Sequence, residues 1–211
     1  MSENRWTLDE HALWYLSRAD SIPHRVEGEA EFVAHLPAKL GRVLDLGCGD
    51  GRLMALVRAA RPGAWGTAVD FSPAMLDAVS ERFAGATDIE IADHDLDVPL
   101  PELGRFDAVV SSFAIHHVDD RRKQELYQEV FDRLLPGAPF LNLEHVASPT
   151  LRLHECFLAE LGMVLADDDP SNLLAPVEAQ LEWLRAIGFE DVDCHWKWRE
   201  MALLGGVRPA T

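Results

Sequence analysis

Three cysteines scattered through 211 residues make no disulfide framework, which points to a reducing, cytoplasmic setting. Basic residues are scarce as well: 19 Lys plus Arg stand against 36 Asp plus Glu, a formal charge of −17. That balance repels phosphate backbones and anionic lipid, so neither nucleic acid nor a membrane surface is an expected partner. No apolar run approaches the roughly 18 residues needed to cross a bilayer. Repeats, low-complexity tracts and heptads are missing. The opening stretch MSENRWTLDEH has no basic region followed by an apolar one, so no export signal is expected. What remains is an ordinary globular composition, 48% hydrophobic and 26% charged, at a length that predicts one domain.

Thr7 and Glu10 match a capping box, and Leu8, Ala12 and Tyr15 then share one helical face. A second helix is expected over residues 26–36, before Pro37 and Gly41. From residue 42 onward short apolar strands alternate with helical patterns. Strands are predicted at 42–46, 66–70, 89–92, 106–111 and 138–146; helices at 52–60, from Pro73 to about Phe83, and around Leu126, Val130 and Leu134. Continuous apolar centres in the strands, rather than alternation, predict a parallel sheet covered on both faces. Beyond it, Ser148-Pro149 opens a helix, Pro176 opens another that Gly188 ends, and strands at 191–197 and 199–204 lie too close for anything but antiparallel pairing. The expected fold is a Rossmann-like α/β/α sandwich: five parallel strands, an antiparallel C-terminal pair, and a helical N-terminal cap. Along the single domain this divides into a cap at 1–40, a core at 41–147, an insertion at 148–175, and a final helix and strands at 176–211.

The strongest chemical signal is Asp45-Leu46-Gly47-Cys48-Gly49-Asp50-Gly51, between the first strand and the first crossover helix. A glycine turn at the carboxyl end of a parallel strand lets backbone approach a ligand, and the following helix offers unpaired N–H groups. The spacing G-x-G-x-G is not the dinucleotide G-x-G-x-x-G, and Asp45 would repel a pyrophosphate while pairing with an ammonium group. Asp70 ends the second strand, where a carboxylate can accept both hydroxyls of a ribose. A nucleoside with a cationic, amino-acid-like end satisfies both acids; a nicotinamide cofactor does not.

These residues, with Asp95-Leu96, FDAVVSSFAIHHV at 106–118 and Leu135-Pro136-Gly137, resemble in order the motifs of the class I S-adenosylmethionine-dependent methyltransferases. The resemblance implies S-adenosyl-L-methionine as cofactor. It places Gly47 and Gly49 beside the methionine part, Asp70 on the ribose, Phe71 against the adenine, and Asp95 with the Leu96 N–H at the adenine edge. Cys48, Gly51 and Ser111 join Asp45 in the expected lining, Cys48 as a small turn residue with no basic neighbour to activate its thiol. The implied activity is methyl transfer to a small molecule by in-line displacement. A protein that binds the cofactor without turnover is the second reading.

Methyl transfer from a sulfonium is chiefly a matter of positioning, and a base is needed only when the acceptor holds its proton firmly. Nine histidines supply candidates: His116 first, with Glu144 and His145 at the end of the fifth strand as further base or orienting groups. Trp14, His24, Arg25, His117 and His154 are the expected acceptor contacts. His154 is placed inward on a stripe with Leu151, Leu158 and Leu161, and His24 with Arg25 is placed to recognise an acidic group. Asp167, Asp168 and Asp169 read as a solvated loop. No H-x-x-x-H pair occurs, so no metal is expected. A monomer or homodimer is expected.

Overall fold

The computed structural model describes residues 9–18 and 21–211. Trp6, Thr7 and Leu8 lie outside them, and with them the Thr7–Glu10 cap and the expected face with Tyr15. Helix α1 covers Asp9–Arg18 and α2 covers Arg25–His35. α2 buries Arg25, Gly28, Glu29 and Phe32, an i, i+3, i+4, i+7 stripe. Gly28 lets this stripe lie close on the sheet: a Cβ there would meet the Trp196 ring at 2.8 Å.

The alternation read from the sequence follows: β1 (Arg42–Leu46), α3 (Arg52–Ala60), β2 (Trp65–Asp70), α4 (Pro73–Arg82), β3 (Ile89–Asp93), β4 (Ala108–Ser112), α5 (Asp120–Arg133), β5 (Pro139–His145), α6 (Leu151–Glu160), α7 (Val177–Ile187), β6 (Glu190–Trp198) and β7 (Met201–Val207). The seven strands are ordered β3-β2-β1-β4-β5-β7-β6, with β7 antiparallel to both of its neighbours. β6 therefore runs with the five parallel strands, and β7 alone opposes them.

Successive strand residues point to opposite faces and enter different cores. Val43, Val110 and Leu141 pack with Phe32 of α2 and Leu53, Met54 and Val57 of α3. Leu44, Val109 and Phe140 pack with Leu126, Tyr127 and Val130 of α5 and Leu184 of α7. The order reverses between β1 and β4, and the loops at their carboxyl ends part to leave a crevice, the usual ligand position in an open α/β sheet.

The β3–β4 crossover contains no helix; its carbonyls are satisfied by α5 instead, Arg122 donating to Leu96 O and Val98 O and Arg133 to Leu100 O. Two local readings change, both at α6. α6 starts later than Ser148-Pro149, with Thr150 as its cap accepting from Leu153 N–H. Its buried face is Phe157 and Leu158, while Leu151, expected inside, is 63% exposed. Among the described residues no helix is long and apolar enough to cross a membrane.

Candidate active site

The turn after β1 is held against β2 by backbone. Cys48 N–H donates to Val69 O (2.9 Å) and Gly49 N–H to Asp70 Oδ2 (2.9 Å), while Ser72 N–H donates to Asp70 Oδ1 (2.9 Å). Gly47 has φ +64°, and a Cβ there would lie 2.2 Å from Ala114 Cβ, so the turn passes too close to the β4 loop for any side chain. A cavity opens over this turn, lined by Asp45, Gly47, Cys48, Gly49, Asp70, Phe71, Asp95 and Leu96, and also by Met75, His94 and Ser112.

Two residues expected in this lining are absent from it. Gly51 sits at the start of α3 in a left-handed conformation, where a Cβ would strike Phe83 and Val79; its role is packing. Ser111 is turned to the β1 side, its buried hydroxyl donating to Leu46 O (2.8 Å). β4 runs one residue further than predicted, and Ser112 takes the place at the cavity.

Asp45 is the electrostatic centre of this cavity. Both its carboxylate oxygens are buried without a hydrogen-bond partner among the described residues. Burial, and secondarily the charge of Asp70, push its pKa from 3.8 up to about 8. Asp70 is also raised by burial, against the lowering effect of the Ser72 and Gly49 N–H groups. Cys48 is held well above 9.0 by burial and then by Asp45, so it stays a thiol.

The state of Asp45 makes a testable demand on any cationic ligand. Between pH 3.8 and about 8 the native chain holds a proton that the unfolded chain releases, so stability falls as pH rises through this window. An ammonium group placed beside Asp45 ionises it. Binding of S-adenosylhomocysteine at pH 7 is therefore expected to release about one proton, measured by calorimetry in two buffers of different ionisation enthalpy. Asp45→Asn should abolish that release, and proton-neutral binding by the native protein would show that the ammonium lies elsewhere.

A second cavity of about 320 Å³ adjoins the first, and Phe113 and His117 line both. Phe113, just past β4, has φ +51°, a strained conformation for a bulky residue at the junction. The Arg25 guanidinium lies 5.3 Å from the centre of its ring. His116, His117 and His145 line this second cavity together with Trp14, Phe157, Leu158 and Met201. His116 Nδ1 lies 2.6 Å from Glu144 Oε1. Burial, then the nearby His145 and Lys123, hold the His116 pKa well below 6.5. Burial, then His116, lower His117 to about 3. Both rings are neutral at pH 7. Glu144 is raised by burial, opposed by hydrogen bonds from His145 N–H and Asn142.

The structure thus places His116 and His145 on the cavity wall with Glu144 buried behind His116, and Trp14 and His117 on the same cavity, but sends three expected acceptor contacts elsewhere. His24 has its Nδ1 against Glu27 (3.0 Å) and its ring against Trp198, outside both cavities. Arg25 is buried on Glu29 (2.9 Å) and lines the first cavity rather than the second. His154 reaches neither: Glu200 (3.0 Å) and Asp168 (3.3 Å) occupy its two nitrogens. The Asp167 to Asp169 run is a wall of the second cavity rather than a free loop. Glu200, fully buried between His145 and His154, is a site residue with no sequence signal. Only the β6–β7 hairpin brings it there. No group of His, Cys, Asp and Glu suited to a metal occurs among the described residues.

A sheet of this order, with a glycine turn after β1 and an acid ending β2, defines the class I S-adenosylmethionine-dependent methyltransferase fold. Solved structures share it: an O-methyltransferase family protein from Burkholderia thailandensis (TM-score 0.76, 21% identity, all of this chain and 63% of that one). Human N-acetylserotonin methyltransferase, solved with SAM, aligns at TM-score 0.71 and 18% identity over all of this chain and 60% of that one. Residues 43–137 match the family model described as a methyltransferase domain. An uncharacterised methyltransferase of Mycobacterium bovis is 43% identical over 89 residues, 42% of this chain and 44% of that protein. The demethylmenaquinone methyltransferase of Thermus thermophilus is 34% identical over 111 residues, 51% of this chain and 49% of that protein. The chain spans about half the length of these curated relatives.

Proposed function

We propose that this chain transfers a methyl group from S-adenosylmethionine to a small molecule whose accepting atom carries a proton. The observation that carries this reading is the pair of adjoining cavities, one built around Asp45 and Asp70, the other walled by His116, whose Nδ1 rests on the buried Glu144. The first cavity fits the cofactor. Asp45, with two unpartnered oxygens, would hold the ammonium of the methionine part. Asp70, oriented by Gly49 and Ser72, would accept from the ribose hydroxyls, and Phe71 and Asp95 would flank the adenine. When bound, S-adenosylmethionine supplies a methyl group already activated by the sulfonium charge.

The protein's own residues then position and deprotonate. Phe113 and His117 would set the approach between donor and acceptor, and Trp14, Phe157 and Leu158 would exclude water around the acceptor. A neutral His116 would take the acceptor's proton, its Nδ1 held on Glu144; His145, held by Glu200 (3.0 Å), orients the acceptor from the same wall. The second cavity has the size for a small molecule, and Glu160, Asp167, Asp168 and Asp169 in its lining disfavour the anionic acceptor that Arg25 and His24 suggested. The test uses methyl-labelled S-adenosylmethionine with a small-metabolite extract, protein and nucleic acid in separate reactions. Label is expected in the small-molecule reaction; label in either macromolecule, or none anywhere while the cofactor binds, would overturn the proposal.

A further inference from the structure

Glu144 and Asn142 are two residues apart on β5 and face the same side of the sheet, toward α5 and α7. There they join a buried polar chain. Gln180 Nε2 donates to Ala175 O (3.0 Å), and Tyr127 Oη donates to Gln180 Oε1 (2.6 Å). Asn142 Nδ2 donates to Tyr127 Oη (3.4 Å) and to Glu144 Oε2 (3.3 Å), and Glu144 Oε1 meets His116 Nδ1 (2.6 Å). Tyr127, Asn142, Glu144 and Gln180 are each at most 1% exposed, so water does not compensate for a reversed bond.

The chain has a direction, set at its far end. A backbone carbonyl only accepts, so Ala175 obliges Gln180 to present its NH₂ there and its Oε1 to Tyr127. Tyr127 has one proton, which goes to Gln180, leaving a lone pair for Asn142. Asn142 then turns its NH₂ to both Tyr127 and Glu144. Rotating this amide would set its Oδ1 against the Glu144 carboxylate and leave Tyr127 Oη without a donor. The observed orientation persists although it leaves Asn142 Oδ1 with no partner among the described residues. Donation by both Asn142 and the His145 N–H (2.8 Å) favours Glu144 as the carboxylate acceptor, against the effect of its burial, with the proton in the 2.6 Å contact on His116 Nδ1.

We propose that Gln180, Tyr127 and Asn142 are positioning residues that fix His116 as its Nδ1–H tautomer, leaving Nε2 unprotonated to receive the acceptor's proton. This rests on the methyl-transfer reading for its function, though not for its measurement. The ring tautomer is read by long-range ¹H–¹⁵N correlation spectroscopy of ¹⁵N-histidine-labelled protein, with the His116 signal assigned by its loss in His116→Gln. The native protein should show Nδ1–H. Asn142→Leu removes a donor from Glu144, which then keeps a proton and donates it, so the ring should move to Nε2–H. Tyr127→Phe, a smaller change that keeps the ring packing, should populate a mixture. In both variants kcat should fall about tenfold or more with KM little changed. Nε2–H in the native protein, or Nδ1–H retained in both folded variants, would overturn the proposal. Absence of turnover in the native protein would instead remove the methyl-transfer reading, because the tautomer is observed without it.

Discussion

Replacing His116 with glutamine is expected to lower kcat by about 10²–10⁴ for an acceptor that must lose a proton, the usual contribution of a positioned general base. Glutamine is the informative choice because its amide can still donate to Glu144, whereas alanine would strand that buried carboxylate as well as remove the base. Cofactor affinity should stay within about threefold of the native value, since His116 lines only the second cavity. The pH profile supplies a separate check. With the His116 pKa held well below 6.5, the native rate should be flat above neutrality and fall only on the acid side; the variant should lose that acid limb. A kcat within about fivefold of native would show that proton removal is not assigned to this ring.

Asp70→Ala should weaken S-adenosylhomocysteine binding by about 100-fold or more, which isothermal calorimetry can measure. Two ribose hydroxyls donating to a carboxylate contribute about 1.5–3 kcal/mol each, and every 1.4 kcal/mol is a factor of about ten in Kd. The loss has a second component: Asp70 is the acceptor for the Gly49 and Ser72 N–H groups, so the alanine variant also releases the turn that shapes the cavity. Asp70→Asn separates the two. Its amide keeps one of those backbone bonds and opposes the other, so binding should be intermediate between native and alanine. Unchanged affinity in Asp70→Ala would remove the ribose from this end of the cavity.

The first cavity was legible in the sequence because its determinants are local. Gly47 and Gly49 follow a strand whose bounds the apolar run marks, and Asp70 ends the next strand, so adjacency in the sheet carries each into the crevice. Of the two misplacements on that side, Ser111 for Ser112 is a one-residue matter of strand phase, and Gly51 serves packing at the start of α3. The second cavity was only partly legible. His116, Glu144 and His145 lie at or just past strand ends and follow the same logic, but His24 and Arg25 rest on loop position, and His154 on a helical stripe whose first member, Leu151, is 63% exposed. Each is claimed by a partner distant from the cavity or remote in sequence, such as Glu200 for His154.

By itself, then, the sequence determined the alternating sheet, the two acids that select a cationic nucleoside, and the segments available to cover them. Those follow from periodicity and turn chemistry, which act over a few residues. Only the tertiary structure decided which histidines face the acceptor, that the charged residues of its cavity are four acids beside Arg18, and that Ala175, through Gln180, Tyr127 and Asn142, orients the Glu144–His116 pair. The reason is that a buried polar group must be satisfied by whatever partner the packing supplies, and four elements converging on one point leave no pattern in any one of them.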